Sequence, residues 1–146
     1  MSLVSWILWN GEKLGSRVIS RIFWPPCSAS ALVVRDGEVL AVKTDNYYML
    51  PGGLMSSGET FTECAEREVK EETGFDVEIG DVLMEFSKDF AGVEKVFRAE
   101  IKDGEMQGSW EGEPVFLDMS EVEDVQWRWE RDIQELLEKS DISTER

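Results

Sequence analysis

Histidine is absent from this chain. Its absence removes Ser-His and Cys-His catalysis, and with them the commonest ligand of catalytic zinc. Cysteine is scarce: Cys27 and Cys64 form neither a C-x-x-C pair nor a disulfide framework, and read as two reduced thiols packed in a core. Long apolar runs are lacking too. The segment "LVSWILW", Leu3 to Trp9, falls far short of the ~20 residues that cross a bilayer. Lys13, Arg17 and Arg21 follow that run, where a signal peptide would place its basic residues first. The expectation is a cytoplasmic protein with no membrane span. Positive charge is also in short supply: 15 Lys+Arg against 31 Asp+Glu give a net charge of −16. So acidic a surface repels the phosphates of DNA and RNA, which disfavours a nucleic-acid polymer as partner. The chemistry left is that of carboxylates, hydroxyls, backbone groups, basic side chains, or a metal held by oxygen ligands.

What is present suits one domain, since 146 residues build a single core and not two comfortable ones. Residues 1–24 stand apart as an N-terminal extension ahead of a domain at 25–146. Leu14, Val18 and Ile22 recur at helical spacing before Pro25-Pro26, whereas Asn10-Gly11 would equally close a hairpin, so the local structure stays open. The extension is expected to pack on its own domain, and a homodimer through it is left open. From Ser28 the pattern turns to strands. "SASALVVRDGEVLAVK" reads as two strands joined at Asp36-Gly37. "DVEIGDVLMEF" and "EKVFRAEI" are strands separated by a loop containing Gly92, "EPVFLDM" is a short strand, and "ERDIQELLEK" is a closing helix with Ile133, Leu136 and Leu137 on one face. Strands around one strongly helical middle segment imply an α+β fold, an α/β/α sandwich around a mixed sheet.

That middle segment gathers glutamates. Thr60 and Glu63 make a capping box, so a helix begins at Phe61, and Gly74 suits the position just past its end. At about 100° per residue, Glu72 and Glu71 fall roughly 40° and 60° on either side of Glu68, continuing the face of Phe61, Cys64 and Ala65. Glu63, Glu66 and Lys70 take the opposite side. A solvated acidic face would do the reverse, so all three glutamates are expected to aim inward. They repel one another at i+3 and i+4 spacing and crowd the negative end of the helix dipole. Arg67 offsets one charge, and the remainder calls for divalent cations. Oxygen ligands alone favour Mg²⁺ or Mn²⁺ over zinc. The glycine loop "LPGGLMSSGE" lets the backbone approach a metal–phosphate group closely.

These residues resemble the signature of the Nudix hydrolase family: G, five residues, E, seven residues, then REUxEExGU with U apolar. It is filled without departure by Gly53, Glu59, Arg67, Glu68, Val69, Glu71, Glu72, Gly74 and Phe75. The resemblance implies the Nudix fold and hydrolysis of a nucleoside diphosphate linked to another moiety, a small-molecule nucleotide substrate. It implies Glu68 and Glu72 as main metal ligands with Glu71 assisting, a carbonyl oxygen from Gly53, Arg67 orienting the glutamates, and Glu59 bracing the loop–helix junction. The family adds an acidic residue from a later loop, where "WEGEP" offers Glu111 and Glu113, with Glu111 favoured. Either Glu68 or that later glutamate would take the proton from water. Phe86, Phe90, Trp110, Phe116 and Trp127 are candidate stacking partners for a base, against the plainer reading of aromatic residues as core. The rival is a Nudix-fold nucleotide-binding regulator without turnover. The −16 charge adds a separate expectation, tolerance of molar salt.

Overall fold

Asp36 and Gly37 both adopt positive φ, 52° and 81°, the backbone twist that a tight hairpin demands. They join strand β1 (Ser28–Arg35) to β2 (Glu38–Lys43) as the sequence predicts. The structure is a computed structural model that describes residues 27–88, 92–128 and 130–140. The N-terminal extension, with its helix and hairpin alternatives, and Phe90 lie outside the described residues. After β2 come β3 (Tyr48–Met49), β4 (Gly52–Leu54), helix α1 (Phe61–Thr73), β5 (Phe75–Lys88), β6 (Gly92–Gly104), β7 (Glu113–Leu117), α2 (Met119–Asp124) and α3 (Glu130–Lys139).

The strands order as β3-β2-β1-β6-β5, with β4 also paired to β1 and β7 to β2. β1 and β6 run parallel, from Ser28↔Glu94 to Val33↔Ala99, and the other pairs run antiparallel. The sheet is mixed, as expected. β5 and β6 extend further than their apolar stretches, so that Gly92, expected in a loop, opens β6 opposite Lys88 at φ 77°. An antiparallel hairpin tolerates this because one face of such a ribbon can stay in water. The expected strand "EPVFLDM" stops at Leu117. Asp118 accepts the Ser120 and Glu121 N–H groups at 2.9 and 3.0 Å and starts α2 instead, a cap outcompeting the ladder.

Alternation along each strand builds two cores. Leu32, Val39, Ala41, Met84 and Val96 face Val122, Trp127, Ile133, Leu136 and Leu137 on the side of α2 and α3. Ala31, Val33, Leu40 and Ala99 face Val69 and Phe75, and Ala29 and Phe97 face Cys64 and Ala65 of α1. The result is an α/β/α sandwich. Each fully buried Val or Leu here stabilises the fold by roughly 1.5–3 kcal/mol before entropy is counted. Trp127 is part of this core, its indole N–H donating to the Val122 carbonyl at 2.9 Å. Phe116 meets Phe75 as a tilted ring pair with centroids 6.0 Å apart, under the Arg35 guanidinium, and Phe86 packs against the first core. These three aromatic residues hold the sandwich together.

Candidate active site

Helix α1 starts as its sequence dictates. The Thr60 hydroxyl accepts the Glu63 N–H at 3.1 Å while the Glu63 carboxylate accepts the Thr60 N–H at 2.9 Å. The helix stops at Gly74, whose φ of 82° and close contact with the Glu105 carbonyl leave no place for a side chain. Between these ends the buried face of α1 lies on the sheet beside β1 and β4.

Gly53 sits where β4 pairs with Ala29, directly beneath Glu68. A Cβ there would lie 2.6 Å from Glu68 Oε1 and 2.9 Å from Oε2, so only glycine lets the carboxylate rest on the loop backbone. The Gly53 carbonyl accepts a weak hydrogen bond from the Cys64 thiol at 3.5 Å. Burial, followed by the negative charge of Glu59, pushes that thiol up to about 12, which makes Cys64 an inert packing group.

Arg67 organises the acidic groups. Its Nε and Nη2 grip Glu59 at 2.6 and 3.1 Å, Nη1 donates to Glu68 Oε1 at 2.7 Å and to Glu71 Oε2 at 3.1 Å, and Nη2 also donates to the Leu54 carbonyl at 3.0 Å. Glu59 in turn accepts the Ser56 N–H at 2.8 Å, so loop and helix are tied through one guanidinium. That hydrogen-bonded guanidinium holds the Glu59 carboxyl below its ordinary range, and Glu59 in its turn raises Arg67.

The inward aim of the glutamates holds for two of the three. Glu68 is 8% exposed and Glu72 only 2%. Glu71 is a correction: its side chain is 58% exposed, reaching Arg67 from the solvent side. The buried arc of the helix runs through Cys64, Ala65, Glu68, Val69, Glu72 and Thr73, which centres it away from Glu71.

Glu72 is the anomaly of the site. Both its carboxylate oxygens are buried with no hydrogen-bond partner. Burial first, then the negative charges of Glu111 and Glu68, push its pKa up to about 9. Glu111, of the two acidic candidates in "WEGEP", is thus the one brought to α1, while Glu113 folds over Gly108. An unpartnered buried carboxylate is costly, and either a proton or a cation relieves it. Carboxylate and carbonyl oxygens without imidazole suit Mg²⁺ or Mn²⁺, so the donors fit a hard divalent ion. Among the described residues no group of three or more acidic or thiol side chains is already spaced to hold a metal ion. Arg67 draws Glu68 and Glu71 to its own side, while Glu72 faces Glu111. The sequence reading missed the Cys64 contact to the Gly53 carbonyl; cysteine and glycine eleven positions apart carry no signal of it.

A carboxylate pair on the helix of an α/β/α sandwich, one member of it resting on a glycine loop, frames the site. The sequence model of the NUDIX domain matches residues 25–143, and the chain belongs to the Nudix hydrolase family. It is 27% identical over 124 residues to an ADP-ribose pyrophosphatase of Methanocaldococcus jannaschii, covering 77% of this chain and 73% of that one. It is 32% identical over 111 residues to the NAD-capped RNA hydrolase NudC of Vibrio atlanticus, covering 73% of this chain but only 37% of that longer protein. Among solved structures, a NUDIX hydrolase from Nitrosomonas europaea superposes with a TM-score of 0.70 at 23% identity, over 84% of this chain and 74% of that one. A UDP-X diphosphatase reaches 0.70 at 21% identity, over 95% and 77%. At such identities the structural likeness speaks for the fold.

Proposed function

We propose that this chain is a divalent-cation-dependent pyrophosphohydrolase cleaving the diphosphate of a nucleoside diphosphate joined to another moiety. The observation that carries the reading is Glu72: a buried carboxylate with both oxygens unpartnered, beside Glu68 and Glu111. In this reading Glu68 and Glu72 hold Mg²⁺ or Mn²⁺, with Glu71 and the Gly53 carbonyl completing the set. When bound, the ion supplies positive charge that neutralises the diphosphate and eases loss of a proton from water. Arg67 keeps Glu68 pointed at the loop, and Glu59 keeps Arg67 in place. The proton of the attacking water goes to Glu111, because Glu68 Oε1 is already engaged by Arg67 at 2.7 Å. Removing water's proton there leaves the oxygen free to attack one phosphorus as the P–O–P anhydride bond breaks, giving a nucleoside monophosphate and the phosphate of the other moiety.

The M. jannaschii relative favours ADP-ribose as the first substrate to try. No helix among the described residues is long and apolar enough to cross a membrane. A cytoplasmic setting, an N-terminal extension packed on its own domain and tolerance of molar salt belong to the same proposal, which leaves a homodimer open. The test is a panel of ADP-ribose, dinucleoside polyphosphates, NADH and modified deoxynucleoside triphosphates with Mg²⁺ or Mn²⁺. Release of a nucleoside monophosphate from at least one is the expected outcome. Tight nucleotide binding with no turnover of any member would instead establish a regulatory module.

A further inference from the structure

Four large apolar side chains are left exposed among the described residues: Leu54, Val82, Met106 and Trp110. Two of them are chain neighbours of residues in the site. Leu54, 60% exposed, follows Gly53, on whose backbone Glu68 rests. Trp110, 92% exposed, precedes Glu111, the residue whose charge bears most on Glu72. A fully exposed indole costs free energy in water, and the buried Trp127 shows what this fold does with a tryptophan it needs for packing.

The backbone that carries Trp110 is also tied down. Trp110 and Glu111 are the two central residues of a turn closed by the Ser109 N–H donating to the Gly112 carbonyl at 3.1 Å. The Glu111 N–H donates to the Ser109 hydroxyl at 3.2 Å, locking the same turn from inside. Gly112 seats it against β2: a Cβ there would lie 2.5 Å from the Lys43 carbonyl and 2.8 Å from Val42 Cγ1. One hydrogen-bonded turn therefore carries both the acidic residue of the site and, one position before it, a bare aromatic side chain. With the backbone set in advance, only the indole's own rotation is left to order on binding.

We propose that Trp110 is the stacking platform for the base of a nucleoside diphosphate whose diphosphate lies at Glu68 and Glu72. The assignment rests on the hydrolase reading above and adds a recognition residue to it. A nucleoside carries its base one ribose away from its phosphates, so a ring beside the carboxylates is where stacking would serve it. Every base offers a π-face, so an indole without a neighbouring hydrogen-bond partner selects for the presence of a base more than for its identity.

Calorimetric binding of ADP, GDP, CDP, UDP and inorganic pyrophosphate, each with Mg²⁺, tests this on the full chain, on Trp110→Ala and on Trp110→Phe. The expected result is a loss of roughly tenfold or more in nucleoside diphosphate affinity for Trp110→Ala. Pyrophosphate affinity should stay unchanged, and Trp110→Phe should recover most of the loss. Wild-type nucleotide affinity in Trp110→Ala, or an equal loss for pyrophosphate, would overturn the platform and leave the hydrolase intact. Failure of the wild-type protein to bind either kind of probe would overturn both.

Discussion

At the scale of single residues, Glu72 makes the sharpest demand. Its folded-state pKa of about 9 lies above the ordinary carboxylate value of 4.5, so the metal-free folded form keeps a proton that the unfolded chain releases. That contribution to stability is complete below about 4.5 and is lost as pH climbs through about 9. Thermal melts in chelator should therefore fall between pH 6 and 9 by on the order of 1 kcal/mol per pH unit from this group. Glu72→Gln keeps the shape without the titration. Its melting temperature should match the wild type only near pH 4 and exceed it by a growing margin up to pH 9, while hydrolysis drops by at least about a hundredfold. Severe unfolding of this variant in chelator would make Glu72 a structural group and remove it from the site. The neighbouring Cys64 shows the opposite case, a buried group whose raised pKa keeps it silent.

Among the elements, α1 and its preceding loop carry two separable contributions. Thr60 fixes where the helix starts, and Gly53 fixes how closely Glu68 approaches the loop. Thr60→Ala should cost about 1 kcal/mol, a shift of a few degrees in a melt, and leave turnover at low temperature close to normal. Gly53→Ala should do the reverse, because its Cβ would meet three atoms of the Glu68 carboxyl group within 2.9 Å and displace it from Arg67. Equal effects of the two substitutions on activity would show that loop and helix are not distinct parts of the site. The helix also shows where pattern reading stops. Glu68 and Glu72 could be placed inward from spacing alone, but Glu71 lies just beyond the buried arc and finds Arg67 in solvent.

Over the whole molecule the −16 charge dominates. Lys70, Lys95, Lys102 and Lys139 pair with Asp76, Glu85, Glu78 and Glu100, and Glu135, all in partly exposed pairs that stabilise little. With twice as many acidic as basic side chains, the net effect across the surface is repulsion, which cations screen. Melts in chelator across KCl from millimolar to molar should rise steeply if the chain is suited to molar salt, with activity kept at the top of the range. A flat melting temperature, or activity that collapses in molar KCl, would refute that suitability and leave the site assignment untouched.

The spacing of Gly53, Glu59, Arg67, Glu68, Glu71, Glu72 and Gly74 was enough to give the family, Thr60 and Glu63 the capped helix, and two of the three glutamates expected inward are so, because helical geometry and capping act within a few residues. The hairpin at Asp36-Gly37 was legible for the same reason. For the later glutamate that meets Glu72, Glu111 was favoured but not decided. Glu111 and Glu113 stand two positions apart in equally acidic surroundings, and only the seating of the Ser109–Gly112 turn against β2 sends one to α1 and the other over Gly108. The tryptophans make the same point: Trp110 and Trp127 have identical chemistry, yet one is bare and the other buried under α2 and α3. Contacts between residues distant in the chain depend on how strands pair and helices pack, and tertiary structure alone decided them.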